Sequence, residues 1–250
     1  MKFILPVFTL LLAALALVGG FMLWQRRPGR PVVTVNGRHL SAQELEWRGR
    51  TLLNDSKRGE NIAVPAEREQ QALDYYKREA ARLWIYKEII LAAAVARGVT
   101  VTQNDEKEAI ALAGQKLKQR CGMTLEEYFA EGPMPRELKE RDFREGVLVN
   151  KFVKIEVEAK IKITGQDIKS RTDELTRRNL METKPGEKPK YRTDHKYVVA
   201  LIRSERNIRG LLDLIKSLFP TVQVVSPEYP EFEVLENVMS AKPRRRDAAK

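Results

Sequence analysis

The residues that most often perform chemistry in proteins are few and isolated in this sequence. It contains two histidines, His39 and His195, and a single cysteine, Cys121. Neither histidine has a cysteine or another histidine at ligand spacing, so the sequence predicts no metal site and no cofactor. Cys121 can form no intramolecular disulfide, and no histidine lies near it in the sequence to activate its thiol.

Two aspartates each follow a threonine by three residues: Asp105 follows Thr102, and Asp167 follows Thr164. Two carboxylates could act as a catalytic acid and base, but Thr-x-x-Asp is also the spacing of a helix N-cap. An aspartate in the first turn of a helix is stabilised by the helix dipole. The spacing therefore predicts two helix starts and no catalytic residue.

The charge of the chain limits its partners. The 250 residues carry a formal net charge of +11, which favours anionic partners such as lipid head groups, acidic polypeptides or nucleic acid. Nucleic acid is the least favoured of these, because the sequence has no zinc-finger, RNP or phosphate-loop pattern.

The N-terminal segment has the composition of a membrane helix. Residues 3–24 contain no charged residue, and a helix of this length spans the roughly 30 Å apolar core of a bilayer. Residues 18–20 offer small side chains for cleavage, so residues 1–27 are either a signal peptide or a retained anchor. Three arginines, Arg26, Arg27 and Arg30, follow the segment. Because positive flanks prefer the cytoplasm, these arginines argue against export of the residues that follow them.

A β-hairpin followed by helices is predicted for residues 28–180. Asn36-Gly37 is a tight-turn pair between two short apolar runs, and Ser41 with Glu44 has the spacing of a capping box. Further helices are expected after Pro65, after Thr102, over the Thr124–Glu127 capping box, around Phe152 and after Thr164.

The C-terminal third predicts a smaller unit. Residues 181–190 have the composition of a linker, and residues 191–240 form a small α/β appendage. Its predicted elements are strands at 197–202, 222–225 and 232–238 and a helix at 205–219. Residues 241–250 form a basic disordered tail that could contact anionic lipid. The predicted fold class is therefore mainly α, with a short hairpin and this appendage.

The order of these segments resembles the N-terminal domain of the SurA-like periplasmic chaperones, a group that includes the membrane-anchored PpiD-type foldases. The likeness lies in Val-Thr-Val-Asn-Gly at 33–37 with the hairpin and helix start that follow, and in the helix end at 96–102. It continues in Thr-Leu-Glu-Glu-Tyr-Phe at 124–129 and in the return segment at 161–168. It covers about residues 32–180.

The resemblance implies a domain that binds unfolded or nascent envelope proteins, either at the periplasmic face of the inner membrane or free in the periplasm after cleavage. Such a chaperone works through exposed apolar surface and needs no nucleophile or base. Methionine and aromatic side chains adapt to varied clients, so the candidate client contacts are Met123, Tyr128, Phe129 and Met134. The alternative is that these four side chains fill the core of the domain.

The resemblance also implies a parvulin-type isomerase domain after residue 180. His195 and the apolar run that follows it are similar to the opening of such a domain, but residues 232–238 hold no second histidine. The appendage is therefore a shortened relic of that domain or an unrelated one. Besides the chaperone hypothesis, two alternatives stay open: a prolyl isomerase with a degenerate catalytic unit, and a structural membrane protein that docks one fixed partner.

Overall fold

A computed structural model describes residues 29–60, 64–184 and 186–239. These residues divide into two compact units. Unit 1 comprises the described residues up to Glu88, Ile110–Asp142 and the described residues from Val222 onward. Unit 2 comprises Ile89–Ala109 and Phe143–Thr221.

Unit 1 contains a small antiparallel sheet with strand order β2-β1-β3. β1 (Pro31–Val35) and β2 (Arg38–Ser41) form the predicted hairpin. Its turn places Asn36 and Gly37 at φ values of 48° and 81°, the left-handed region that an Asn-Gly pair adopts readily. β3 (Val224–Val225) pairs with the end of β1. The hairpin prediction is confirmed, and the predicted strand at 222–225 is shorter than expected.

The rest of the described chain is mainly helical, as the sequence predicts. The helices are α1 (Ala42–Glu60), α2 (Glu69–Ala96), α3 (Gln103–Cys121), α4 (Leu125–Ala130), α5 (Arg136–Glu156), α6 (Gly165–Glu182), α7 (His195–Leu218) and α8 (Leu235–Met239). The buried side chains of unit 1 come from the hairpin, α1, α2, the α4–α5 segment and the C-terminal residues. They include Val33, Leu40, Leu45, Leu53, Trp84, Ile85, Phe129, Met134, Phe232 and Val238.

The predicted helix caps are present. Thr124 and Glu127 form a reciprocal capping box at the start of α4, and Thr164 and Asp167 form one at the start of α6. Ser41 accepts a hydrogen bond from the Glu44 backbone N–H at 3.1 Å. The three-residue spacing between each cap residue and the acidic residue after it therefore predicted these helix starts correctly.

Unit 2 contains an antiparallel pair of helices, α6 and α7. Leu175 of α6 packs with Val198 and Ile202 of α7 to form a buried cluster. The pairing is fixed at one end by Asn179, which exchanges two hydrogen bonds with the Tyr191 backbone at 2.7 and 2.8 Å. At the other end Arg206 donates to the Asp167 carboxylate at 2.6 Å.

Two predicted strands are wrong. Residues 197–202 belong to α7, whose buried Val198 and Ile202 are four residues apart and face α6. Asp194 accepts a hydrogen bond from the Tyr197 N–H at 3.0 Å and caps this helix, so a β-branched run was misinterpreted where a capped amphipathic helix begins. The predicted helix at 205–219 is correct as the later part of α7.

The second wrong strand is at residues 232–238. That stretch forms a 3₁₀ turn, Pro230–Glu233, followed by α8. The described part of residues 191–240 is divided between the two units, since Val222 begins the last segment of unit 1. The predicted α/β appendage thus contributes a long helix to unit 2 and a sheet strand to unit 1.

Two further predictions, the apolar segment at 3–24 and the basic tail at 241–250, lie outside the described residues. Over residues 29–60, 64–184 and 186–239, no helix is long and apolar enough to cross a membrane.

Candidate binding cleft

A cleft in unit 1 lies between α1 and the segment that joins α3, α4 and α5. It is shallow and open to solvent, with a cavity volume of about 30 Å³. The residues that line it are Thr51, Asn54, Asp55, Arg58, Met123, Tyr128, Glu131, Gly132, Pro133 and Lys139. We refer to this site as the α1–α4 cleft.

The α1 wall of the cleft is a polar stripe. Thr51, Asn54, Asp55 and Arg58 are spaced i, i+3, i+4 and i+7, which places them on one face of the helix. A polar stripe of this kind usually faces water. Here it faces the α4 segment, so its hydrogen-bonding groups converge on the cleft.

Asp55 is the acidic group of the α1 wall. Its carboxylate is half-buried and forms no hydrogen bond or ion pair with any residue in the described ranges. Burial raises the pKa of Asp55 above its ordinary value, and the positive charges of Arg120, Arg58 and Lys139 offset this only in part. A cation or an N–H donor in the cleft would therefore be stabilised by Asp55.

The opposite wall provides the apolar side chains of the cleft. Tyr128 lies on α4 and Met123 lies just before the Thr124 cap. Burial raises the pKa of the Tyr128 hydroxyl, so the phenol stays neutral and acts as a donor or acceptor. The Met123 thioether is only partly buried, which leaves an adaptable apolar contact at the cleft.

Lys139 of α5 holds this wall in place. Its ammonium donates to the Tyr128 carbonyl at 2.7 Å and to the Glu131 carbonyl, and it lies 4.9 Å from the centre of the Tyr128 ring. These carbonyls belong to the last turn of α4, where helix carbonyls lack intrahelical partners. Burial lowers the pKa of Lys139. The Lys139 side chain therefore joins α5 to the end of α4.

The exposed rim of the cleft is bridged by Arg58 and Glu131. The Arg58 guanidinium donates to both Glu131 carboxylate oxygens, one at 3.3 Å, and also lies 3.7 Å from the Met123 sulfur. Both charged side chains are about half exposed. An exposed pair of this kind contributes at most about 1 kcal/mol, so a ligand can separate the two residues at little cost.

A partly buried ion-pair network positions α1 against α5. Arg48 donates to Glu44 at 2.7 Å and makes a two-point contact with Asp142. Arg141 also donates to Glu44 at 2.7 Å, and Lys87 of α2 donates to Asp142 at 2.8 Å. Glu44, expected from the sequence to complete a capping box with its side chain, instead binds these two arginines.

The four predicted client contacts fall into two groups. Met123 and Tyr128 line the α1–α4 cleft together. Phe129 and Met134 are each 7% exposed and lie in the interior of unit 1, as in the alternative interpretation that the sequence left open. The surface available to a ligand is therefore narrower than the predicted one.

Sequence reasoning missed Asp55 and Lys139 as cleft residues. Both lie in helical stretches rich in charge, where a polar side chain is expected to face water. The i, i+3, i+4, i+7 spacing of the α1 stripe was visible in the sequence, but nothing in it indicated that another segment packs over that face.

The other chemical candidates, His39, His195 and Cys121, do not line the α1–α4 cleft. His39 lies 2.9 Å from the Thr34 hydroxyl in the hairpin, and His195 is the exposed first residue of α7 rather than part of a strand. Exposed Cys121 donates to the Leu117 carbonyl. No group of three metal-ligating side chains comes together within the described ranges.

Asp105 and Asp167 act as helix caps. Hydrogen bonds from the Thr164 backbone and hydroxyl, together with Arg206, lower the pKa of Asp167 to about 2. Lys151 and Thr102 hold the pKa of Asp105 well below its usual range. Neither carboxylate is available as a proton donor at neutral pH.

Compared with known proteins, the chain matches no family model, no curated protein and no solved structure. A functional proposal therefore rests on the chemistry of the α1–α4 cleft and on the resemblance of the sequence.

Proposed function

We propose that this protein is a membrane-tethered or exported extracytoplasmic chaperone or assembly factor that binds unfolded or nascent envelope proteins. The observation that carries the proposal is the α1–α4 cleft, which combines adaptable apolar side chains with Asn54 and Asp55, two polar side chains that form no hydrogen bond or ion pair with the described residues. The SurA-like order of residues 32–180 and the apolar segment at 3–24 support the cellular setting.

The cleft suits an extended polypeptide because it offers both kinds of contact that such a chain needs. Met123 and Tyr128 provide apolar surface for a client side chain. Asp55 and Asn54 on the opposite wall provide acceptors for the backbone N–H groups that an unfolded chain leaves unpaired.

The size of the cleft predicts weak and promiscuous binding. Burying one apolar side chain of a client contributes roughly 1.5–3 kcal/mol, which by itself corresponds to a dissociation constant weaker than about 1 mM. A client would therefore need further contacts along the chain, and no single client sequence would be strongly preferred.

The proposal is tested by blocking the cleft from its rim. Asn54 is an exposed residue of the α1 wall, so Asn54→Trp places a large ring over the opening without disturbing the core. Gln43→Trp, at an exposed position of the same helix that does not line the cleft, is the matched control. The full chain is held in lipid nanodiscs, and light scattering from an aggregating unfolded client is followed with each variant.

We expect near-stoichiometric wild-type protein and Gln43→Trp to suppress aggregation, and Asn54→Trp to lose most of this effect. Equal suppression by both variants would remove the cleft from the mechanism. No suppression by the wild-type protein, together with co-purification of one stoichiometric partner, would favour the fixed-partner hypothesis instead.

A further inference from the structure

A second surface, in unit 2, combines exposed apolar side chains with an excess of positive charge. Leu180 and Met181, at the end of α6, are 81% and 76% exposed. With Arg177 they form one face of the helix, because their spacing is i, i+3, i+4. The other side of α6 is occupied, since Leu175 packs against α7 and Asn179 binds the Tyr191 backbone.

Basic residues predominate in the sequence around this apolar pair. From Arg177 to Lys196, seven Lys and Arg residues outnumber three Asp and Glu residues. Arg178 and Arg192 form ion pairs. The other five basic residues form no ion pair within the described part of the chain, although Lys190 helps to lower the pKa of Glu182. They are Arg177, Lys184, Lys188, Lys190 and Lys196. We call Arg177, Leu180, Met181 and these four lysines the α6 tip.

We propose that the α6 tip binds the surface of an anionic lipid bilayer, with Leu180 and Met181 entering the head-group layer and the basic side chains lying over lipid phosphates. Apolar residues flanked by lysines are the pattern by which peripheral segments bind an anionic membrane. The long stems of lysine side chains cover apolar surface while their ammonium groups reach the phosphates.

The apolar pair among the cations favours lipid over an acidic protein partner. The exposed Leu180 and Met181 can enter the head-group layer while the cations stay over the phosphates, an arrangement that a purely charged acidic partner would not use. Residues 3–24 have the length and composition of a membrane helix, so a lipid surface is a partner that the proposed function already brings to the chain. Each cation near such a surface strengthens binding about fivefold.

The test places a fluorophore on the tip of the full-length protein. Cys121→Ser removes the exposed native thiol, and Met181→Cys provides the attachment site for an environment-sensitive dye. Leu112→Cys on α3, also an exposed apolar position, is the matched control. Both proteins are reconstituted into vesicles of phosphatidylcholine, with or without phosphatidylglycerol.

We expect the dye at position 181 to shift to the blue, and to be quenched by doxyl-labelled lipid, only when phosphatidylglycerol is present. The dye at position 112 should not respond. The triple variant Lys184→Gln, Lys188→Gln, Lys190→Gln should lose the response. The triple variant Lys107→Gln, Lys116→Gln, Lys118→Gln, at exposed positions of α3, should retain it.

The same signal at position 181 with and without phosphatidylglycerol would overturn the inference. A response to soluble polyglutamate in detergent, with none to anionic vesicles, would also overturn it and assign the tip to an acidic polypeptide. Neither outcome depends on chaperone activity of the α1–α4 cleft.

Discussion

Replacement of Gly49 by alanine tests the packing that places α1 beside the cleft. Gly49 lies on α1 where the helix passes close to Lys77 of α2. A Cβ atom at Gly49 would lie 2.6 Å from the Lys77 Cγ atom, and 3.1 and 3.2 Å from its backbone N and Cα atoms. The Lys77 ammonium forms an ion pair with Glu46 at 3.0 Å, and this pair restrains the Lys77 side chain.

The sign of the effect follows from two opposing contributions. Alanine is favoured over glycine inside a helix by about 1 kcal/mol. Overpacking a close contact costs about 1–3 kcal/mol, and the upper part of that range applies because two of the three atoms belong to backbone, which cannot move aside alone. We therefore expect Gly49→Ala to lower the free energy of unfolding by about 1–2 kcal/mol.

Gly114→Ala is the matched control. Gly114 lies inside α3, and a Cβ atom there would meet nothing within 4 Å, so only the helix preference of about 1 kcal/mol applies. Urea denaturation of the full chain in mild detergent, followed by circular dichroism, should move the midpoint down for Gly49→Ala and up for Gly114→Ala. Equal stabilisation by the two substitutions would refute the close approach of α1 and α2.

Two further predictions concern the charges that surround the cleft. Arg48→Met should lower the free energy of unfolding at pH 7 by about 2 kcal/mol. This is less than the usual cost of breaking a buried ion pair, because Lys87 still compensates the charge of Asp142. Burial alone would raise the pKa of Asp142, but Arg48 and Lys87 hold it below its ordinary 3.8. The stabilisation from this ion pair is therefore present above pH 3.8 and is lost as the pH falls further. The loss of unfolding free energy caused by Arg48→Met should accordingly shrink between about pH 5 and about pH 3. Asp55→Asn should change stability in the opposite direction. Burial raises the pKa of Asp55, so the ionised form opposes folding and the substitution should raise thermal stability at pH 7 but not at pH 3. An effect that does not depend on pH would contradict the burial of an ionised Asp55.

The local elements were accessible from the sequence because each is defined by a few adjacent residues. Asn36-Gly37 determines the hairpin turn, and the threonine caps at 102, 124 and 164 determine where α3, α4 and α6 begin. These signals involve contacts over four residues or fewer, so no tertiary information is required.

The errors arose where tertiary contact determines the structure. The run at 197–202 has the composition of a strand, yet the packing of Val198 and Ile202 on Leu175 selects a helix. β3 pairs with β1 across a sequence separation that no local pattern encodes: Asn36 donates to the Gln223 carbonyl at 3.0 Å and accepts from the Gln223 N–H at 2.8 Å. The polar wall of the cleft was missed for the same reason.

Site-specific photo-crosslinking tests the central proposal most directly. A benzoylphenylalanine residue is placed at position 54 in the α1–α4 cleft or at position 43 as the control, and the full chain in nanodiscs is irradiated with several unrelated unfolded clients and with their native forms. We predict crosslinks from position 54 to every unfolded client, and none above background from position 43 or to the native forms. Absence of crosslinks from position 54, or crosslinks equal to those from position 43, would contradict the assignment of the cleft as a site for unfolded polypeptide.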